Sequence, residues 1–221
     1  MDDLNQDEIN EAEFQRVANI LISKFNLARD WDFEIGHDGT VDLIARHAYF
    51  TGSEEKLPIK FEEASGNFSL SETKLTTLEG CPHTVLGTFS CASAKITSFI
   101  GGPKIVKGSY YASRNNISSL EGLPTEVFRY LDLERLPLTS LEFLPKMVAG
   151  TIDFTVNANL PLLRLLSYPL TVIFKVSGSG VSVHEVMEIV EKYQNKKPLR
   201  QAIIQCQKEL LDAGFAGNAR L

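Results

Sequence analysis

The residues best suited to nucleophilic or metal chemistry are few and scattered. Four histidines and three cysteines are present. Zinc sites use closely spaced pairs such as H-E-x-x-H or C-x-x-C, and the sequence contains neither. Cys81 and His83 share a turn, where a nucleophile pair is one interpretation and two tolerated substitutions in a repeat are the alternative. We predict no metal, no cofactor and no catalytic residue, and therefore a protein that is not an enzyme.

Two segments have the composition of an anion site. The sequence SGSG (177–180) precedes a predicted helix at Ser182, and backbone N–H groups in such a turn can hold a phosphate or carboxylate. Lys196, Lys197 and Arg200 lie at the start of the last predicted helix, where the helix dipole favours an anion over cations. No lysine follows the glycines, so a flexible turn and a solvated basic turn are the alternatives.

An internal repeat determines where all these residues lie. From residue 66 to residue 170 the chain divides without gaps into five units of 21 residues. The recurring positions are Gly at 66, 87, 108 and 150, Pro at 82, 103, 124 and 145, Val at 85, 106, 127 and 148, and apolar residues at 75, 96, 117 and 138 and at 78, 99, 120, 141 and 162. A fixed period of this length indicates a stacked repeat architecture.

Each unit has a simple physical interpretation. It opens with an alternating stretch, such as Phe68 and Leu70, which predicts a short strand with one buried face. An apolar pair such as Leu75 and Leu78 follows, and then Gly and Pro, which force a turn. One unit cannot bury both apolar rows alone, whereas stacked units can. We therefore predict a repeat protein, an α+β solenoid of about 5–6 coils.

Further elements are predicted to frame the stack. Residues 39–65 are interpreted as a degenerate first unit, with Val41 and Leu43 at the strand positions and a six-residue insertion around 52–56. Residues 171–178 are interpreted as a last strand. The predicted domains are an N-terminal helical cap at 1–38, a solenoid at 39–178 with regular units at 66–170, and a C-terminal helical cap at 179–221.

Three amphipathic helices are predicted in these caps, to cover the open ends of the solenoid or, alternatively, to bind partners. Asn5 and Glu8 give a start signal for the first, whose apolar positions are Phe14, Val17, Ala18, Leu21, Phe25 and Ala28. Ser182 and Glu185 form a capping box for the second, whose apolar positions are Val183, Val186, Met187, Val190 and Tyr193. Pro198 opens the third, whose apolar positions are Leu199, Ile203, Cys206 and Leu210.

The unit resembles a leucine-rich repeat, L-x-x-L-x-L-x-x-N-x-L, at the short end of its length range. Asn115 and Asn157 hold the asparagine position, which Thr73, Ala94 and Leu136 occupy in the other units. Units 87–107 and 108–128 and the C-terminal GFAGNARL resemble leucine-rich-repeat proteins of large tailed bacteriophages. The resemblance covers roughly residues 39–221 and implies a leucine-rich-repeat-like β-solenoid without established catalytic residues.

The main candidate for a binding site is a surface. Strand positions between the buried ones face outward, and stacking aligns them in columns. The third and fourth coils present Tyr111, Tyr130, Asp132 and Glu134, with Asp153 in the fifth and Arg114 and Arg135 just beyond. Tyrosine and arginine beside fixed carboxylates are typical of a protein-contact hot spot, and a merely solvated sheet face is the alternative.

Charge and hydropathy exclude several classes of function. The net charge of −6 divides into −9 for residues 1–65, +1 for 66–170 and +2 for 171–221. This leaves no basic stripe for nucleic acid. No apolar run reaches about 18–20 residues, and the acidic N-terminus does not resemble a secretory signal, so neither a membrane span nor export is expected. An odd number of cysteines indicates reduced cytosolic thiols rather than disulfides.

These features predict a non-enzymatic protein–protein interaction module. Together with the resemblance, they lead us to expect a phage accessory protein in the bacterial host cytoplasm that binds a host or viral protein through the strand face. The alternative is a structural component of a phage particle, in virion, tail or baseplate assembly. No nucleic acid, membrane or small-molecule substrate is expected as a partner.

Overall fold

Two rows of short strands wind around one continuous core. The computed structural model describes residues 11–27, 32–168, 173–179 and 182–221. Within these residues the chain forms a β-solenoid of about six turns with three α-helices, as the repeat predicts. Each regular turn contributes one strand to each of two seven-stranded sheets, sheet A and sheet B.

The described strands are β1 (Phe33–Ile35), β2 (Val41–Leu43), β3 (His47–Tyr49), β4 (Phe61–Ala64), β5 (Asn67–Ser69), β6 (Thr84–Val85), β7 (Phe89–Ser90), β8 (Ile105–Val106), β9 (Tyr110–Tyr111), β10 (Glu126–Val127), β11 (Leu131–Leu133), β12 (Met147–Val148), β13 (Thr151–Asn157) and β14 (Ile173–Ser179). Sheet A has the order β1-β2-β4-β6-β8-β10-β12, and sheet B has the order β14-β13-β11-β9-β7-β5-β3. The described helices are α1 (Glu11–Lys24), α2 (Val183–Tyr193) and α3 (Leu199–Asp212), with a 3-10 helix at Leu163–Ser167.

The alternating stretch that opens each repeat builds sheet B. Residues one repeat apart pair in register in parallel strands: Phe68 with Phe89, Phe89 with Tyr110, Tyr110 with Leu131, and Leu131 with Ile152. All five side chains are fully buried, and the rings of Phe68 and Phe89 stack with centroids 6.2 Å apart. Because side chains alternate along a strand, this buried ladder directs the residues on either side of it outward.

Sheet A lies on the return side of each coil, where the sequence predicts only a turn. Its repeating strands, from β6 to β12, are two residues long, and the recurring valines are their buried members. The sequence therefore identifies the opening strand of each unit but not this second one. Two residues are too few to show alternation. The sequence therefore reveals the regular spacing of the valines but not the strand conformation of the backbone there.

One turn position is glycine in the first three regular units but phenylalanine in the fourth. Gly80, Gly101 and Gly122 have φ between +87° and +93°, and a Cβ atom on Gly122 would lie 2.5 Å from the Ile100 nitrogen. Phe143 holds the equivalent position one repeat later, with φ +65° and a side chain that is 52% exposed. A bulky residue is strained in this conformation, so sequence and backbone preference disagree at this corner.

The first turn of the solenoid differs from the prediction. Val41 and Leu43 belong to β2 in sheet A, and β3 holds the sheet B position, 20 residues before β5. The predicted insertion around residues 52–56 is wrong, because it results from aligning a strand of sheet A with strands of sheet B. β1 lies within the segment predicted as a helical cap and pairs with β2 in the antiparallel direction, so β1 is the edge strand at that end of sheet A.

Helix α1 covers this end of the core. Leu21 is fully buried, and Phe25, just after the helix, packs its ring against Phe50 and Phe61 with centroids 5.0 and 4.9 Å apart. Phe14, predicted on the buried face, is exposed. The predicted start residues Asn5 and Glu8 and the apolar position Ala28 lie outside the described residues.

The other end carries β14, the predicted last strand, followed by α2 and α3. The apolar face of α2 is buried as predicted, at Val186, Met187, Val190 and Tyr193. Ser182 is the N-cap residue of α2, but its side chain forms no capping hydrogen bond, so the predicted capping box is not formed. Leu199 on α3 is exposed rather than buried. None of the described helices is long and apolar enough to cross a bilayer.

The C-terminal GFAGNARL segment closes the last coil. Asn218 is fully buried, and its Nδ2 donates to the carbonyls of Asn157 at 3.0 Å and Leu160 at 2.8 Å. Asn115 makes the same kind of bond inside the stack, donating to Cys91 O at 2.8 Å and Ala112 O at 2.9 Å. The tail thus uses a buried asparagine to satisfy carbonyl groups of the last coil.

Candidate protein-contact surface

The outward face of sheet B consists of side chains that alternate with the buried ladder. The first row is Asn67, Thr88, Ser109, Tyr130 and Thr151, the second is Ser69, Ser90, Tyr111, Asp132, Asp153 and Lys175, and the third is Ser71, Ala92, Ser113, Glu134, Thr155 and Ser177. We call the part from the coils of β5 and β7 the N-terminal half. The part from the coils of β9, β11, β13 and β14 is the C-terminal half.

Small polar side chains in the N-terminal half bond within the sheet. Asn67 Oδ1 accepts the backbone N–H of Thr88 at 2.8 Å, and Thr88 Oγ1 accepts that of Ser109 at 3.4 Å. The hydroxyls of Ser71 and Ser90 lie 2.5 Å apart. This half is therefore an uncharged surface whose polar atoms largely satisfy one another.

An aromatic pair lies in the C-terminal half. Tyr111 comes from the second row of β9, and Tyr130 comes from the first row of the next coil, so the two rings meet on a diagonal. Their centroids are 5.6 Å apart and their planes are inclined by 53°. Both side chains are half-buried, which leaves part of each ring accessible.

Asp153 lies beside this pair and is only 6% exposed. Its Oδ2 accepts the hydroxyl of Tyr130 at 2.8 Å and lies 3.6 Å from Lys175 Nζ. Desolvation raises the pKa of Tyr130 above its ordinary value, and the hydrogen bond to Asp153 raises it further. The phenol therefore remains protonated at neutral pH and holds the Tyr130 ring in a fixed orientation.

Asp132 and Glu134 carry the remaining negative charge of this half. Asp132 pairs in register with Tyr111 on one side and with Asp153 on the other, and its Oδ1 accepts the backbone N–H of Glu134 at 3.0 Å. Glu134 lies 3.7 Å from Arg135 in an exposed pair. Within the part of the chain that the structure describes, Asp132 belongs to no ion pair.

The predicted site residues fall into two groups. The structure brings Tyr111, Tyr130, Asp132, Glu134 and Asp153 together on adjacent coils. Arg114 and Arg135 lie at the corner after the strands, both exposed and both with φ +59°. They border the surface instead of lying within the aromatic pair.

Lys175 is the functional candidate that the sequence reasoning missed. It pairs in register with Asp153, and its Nζ lies 3.6 Å from Asp153 Oδ2. The last strand was recognised in the sequence, and continuing the second row from Asp153 onto that strand reaches Lys175 after 22 residues instead of 21. Following the row beyond the regular repeat would have identified this residue.

The predicted anion candidates are engaged differently. Lys196 Nζ lies 4.5 Å from the centroid of the Tyr193 ring, and Lys197 and Arg200 are exposed. The side chain of Val183 occupies the space beside Gly178 that a Cβ atom would need. Within the described part of the SGSG segment, packing against α2 is thus the visible role of Gly178.

The cysteine thiols are placed for packing. Cys81, Cys91 and Cys206 are buried and form no disulfide. Burial raises the pKa of both Cys91 and Cys206 to about 12, and it raises that of Cys81 as well. Such thiols are almost entirely protonated at neutral pH and are weak nucleophiles. His83 is exposed beside the buried Cys81, and its Nδ1 lies 3.4 Å from the Thr84 hydroxyl.

Over the described ranges, no cluster of three or more His, Cys, Asp or Glu side chains is arranged to hold a metal ion. Comparison with protein-family models, curated proteins and solved structures gives no significant match. The outward face of sheet B is therefore the feature whose chemistry indicates a function.

Proposed function

We propose that this chain is a non-enzymatic protein-interaction module that binds a protein partner through the C-terminal half of the outward face of sheet B. The observation that carries the proposal is the half-buried pair of Tyr111 and Tyr130 beside Asp132 and Asp153. Tyrosine is enriched at the centres of protein interfaces because its ring supplies apolar area and its hydroxyl supplies a polar contact.

The rigidity of the surface also supports binding. Each strand of this half is hydrogen-bonded into a parallel sheet above a buried core, and the Tyr130 ring is held by Asp153 at 2.8 Å. Association usually costs about 0.5–1.5 kcal/mol for each flexible side chain that must be immobilised. Side chains that are ordered before binding reduce this cost, so a small surface of this kind can bind specifically.

The biological setting is proposed from the sequence resemblance. A leucine-rich-repeat-like protein of a tailed bacteriophage would act in the cytoplasm of the bacterial host and bind a host or viral protein. The same surface would also suit permanent packing into a phage particle. The partner distinguishes the two settings, because capsid, tail or baseplate proteins would indicate a structural component.

Affinity purification from the cells in which the protein is made tests the proposal. Three tagged forms are compared by quantitative mass spectrometry: wild type, the Tyr111→Ala/Tyr130→Ala variant, and a Ser69→Ala/Ser90→Ala control in the N-terminal half. We expect wild type and control to recover the same partner in similar amounts. The tyrosine variant should recover at least about tenfold less of that partner. Equal recovery by all three forms, with circular dichroism showing that each is folded, would overturn the proposal.

A further inference from the structure

We infer that the C-terminal half of the outward face recognises an arginine side chain of its partner, an inference that rests on the proposed function of this surface. The guanidinium group would lie against the rings of Tyr111 and Tyr130 and pair with the carboxylate of Asp132. The three residues are adjacent, because Tyr111 pairs in register with Asp132 and its ring centroid lies 5.6 Å from that of Tyr130.

The excess of carboxylates in the C-terminal half indicates that the partner contributes a cation. The outward rows of the N-terminal half contain no charged residue, whereas the following coils contain Asp132, Glu134 and Asp153 against Lys175. Lys175 lies 3.6 Å from Asp153, and Arg135 lies 3.7 Å from Glu134. Asp132 has no cationic partner among the described residues. A positive group from the partner would complete this arrangement.

The aromatic pair favours arginine over lysine. A guanidinium is planar, so it can stack on a tyrosine ring while donating two parallel hydrogen bonds to a carboxylate. An ammonium group is compact and more strongly hydrated, and it offers no such plane. The Tyr130 hydroxyl is already donated to Asp153, whereas the Tyr111 hydroxyl forms no hydrogen bond with a described residue and can contact the partner.

The position of Asp132 is unfavourable for folding alone. It lies directly opposite Asp153 on the neighbouring parallel strand, and like charges in this relation destabilise a sheet. A carboxylate that faces a like charge in the sheet and lies beside an aromatic pair is typical of a binding site, where stability is traded for function. We therefore expect Asp132→Asn to leave the melting temperature unchanged or higher while lowering the affinity for the partner. A purely structural role would not produce this combination.

A direct test uses a blocked tri-arginine peptide as the probe, with backbone amide NMR as the readout. Its matched control is tri-citrulline, which has nearly the same shape but no charge. We expect saturable shifts at Tyr111, Tyr130 and Asp132 with tri-arginine, much smaller shifts with tri-citrulline, and loss of the shifts in Asp132→Asn. Glu62→Gln, the same charge change on an exposed residue of sheet A, should retain them. Equal shifts with both peptides, or shifts confined to other surfaces, would refute arginine recognition.

The captured partner separates this inference from the proposed function. We expect Asp132→Asn to raise the Kd of the complex about 30-fold or more, since loss of one member of a buried charge pair commonly has an effect of that size. If the Tyr111→Ala/Tyr130→Ala variant loses the partner and Asp132→Asn does not, the contact surface stands and arginine recognition is wrong. If neither substitution changes the Kd, the proposed function is wrong as well.

Discussion

The two halves of the outward face of sheet B share one backbone and differ in what their side chains do. In the N-terminal half, Asn67 and Thr88 bond to the backbone of the next coil, and Ser71 bonds to Ser90. In the C-terminal half, the corresponding rows hold the ring pair of Tyr111 and Tyr130 and a set of carboxylates. Bonds of this kind continue in the C-terminal half, for example from the Arg135 N–H to Thr155 Oγ1 at 2.8 Å, but that half adds large rings and carboxylates.

This difference shows how a repeat can separate stability from recognition. A second buried row on these coils continues through both halves, since Leu70, Cys91, Ala112, Leu133 and Phe154 are all fully buried. The buried positions vary in size but carry no charge, whereas the outward positions change in both size and charge. A solenoid can therefore acquire a binding surface on a few coils without altering the core that supports it.

The largest expected effect concerns the core that both halves share. Leu70→Ala and Leu133→Ala each remove a fully buried side chain and leave a cavity, so each should lower the free energy of unfolding by about 2–5 kcal/mol. Urea denaturation followed by circular dichroism measures both. Similar losses would support an equivalent core, and a large loss at one position with almost none at the other would show that the two halves are not built alike.

A smaller effect is expected for the asparagine that closes an internal coil. Asn115 is buried and bonds to Cys91 O, Ala112 O and the Ile96 N–H, so Asn115→Ala should lower stability by about 1–3 kcal/mol by leaving these groups unsatisfied. The matched control is Asn157→Ala, because Asn157 Nδ2 makes one bond, to Leu138 O at 3.0 Å, and its Oδ1 accepts the exposed N–H of Asn159 at 2.9 Å. Chemical denaturation of the two variants compares them, and an equal or larger loss at Asn157 would contradict this ranking.

The like charges of the C-terminal half give the next prediction. Asp132→Asn removes the repulsion from Asp153 and keeps an oxygen that can accept the Glu134 N–H, so it should raise the free energy of unfolding by about 0.2–1 kcal/mol. Ser90→Ala, at the same row in the N-terminal half, should bring no such gain. Thermal unfolding at low ionic strength measures the difference, and a destabilised Asp132→Asn would show that this carboxylate has a structural role.

The smallest effect is a pH dependence at Tyr130. Its pKa is raised in the folded state by desolvation and by Asp153, so the associated stabilisation is fully present below the unfolded-state pKa near 10. This contribution to the free energy of unfolding is lost as the pH rises through the higher folded-state pKa of Tyr130. The stability difference between wild type and Tyr130→Phe should therefore be constant from pH 6 to 9 and diminish in more alkaline solution. A difference that changes near neutral pH would contradict the assignment.

The sequence predicts the part of the fold in which several positions alternate. Phe68 and Leu70 and their equivalents reveal sheet B and its outward rows, and those rows contain Tyr111 and Asp132. Sheet A escapes prediction because a strand as short as Thr84–Val85 carries no periodicity. The first coil is misaligned because Val41 and Leu43 alternate in the same way as a strand of sheet B.

The remaining misses concern contacts between distant parts of the chain. Lys175 joins the surface through pairing of β14 with β13, where the spacing changes from 21 to 22 residues. Asn218 closes the last coil across 61 residues of sequence, from its side chain to Asn157 O. Local patterns do not report such contacts, although the resemblance had already singled out the segment that contains Asn218.

Radical footprinting of the purified complex tests the central claim most directly, because three tyrosines on one sheet serve as probe and control. Tyr111 and Tyr130 lie in the C-terminal half, whereas Tyr49 lies on β3 at the opposite edge and is 45% exposed. We expect oxidation of Tyr111 and Tyr130 to fall several-fold when the partner is bound and that of Tyr49 to stay the same. Protection of Tyr49 alone, or of none of the three, would contradict the assignment of the C-terminal half as the contact surface.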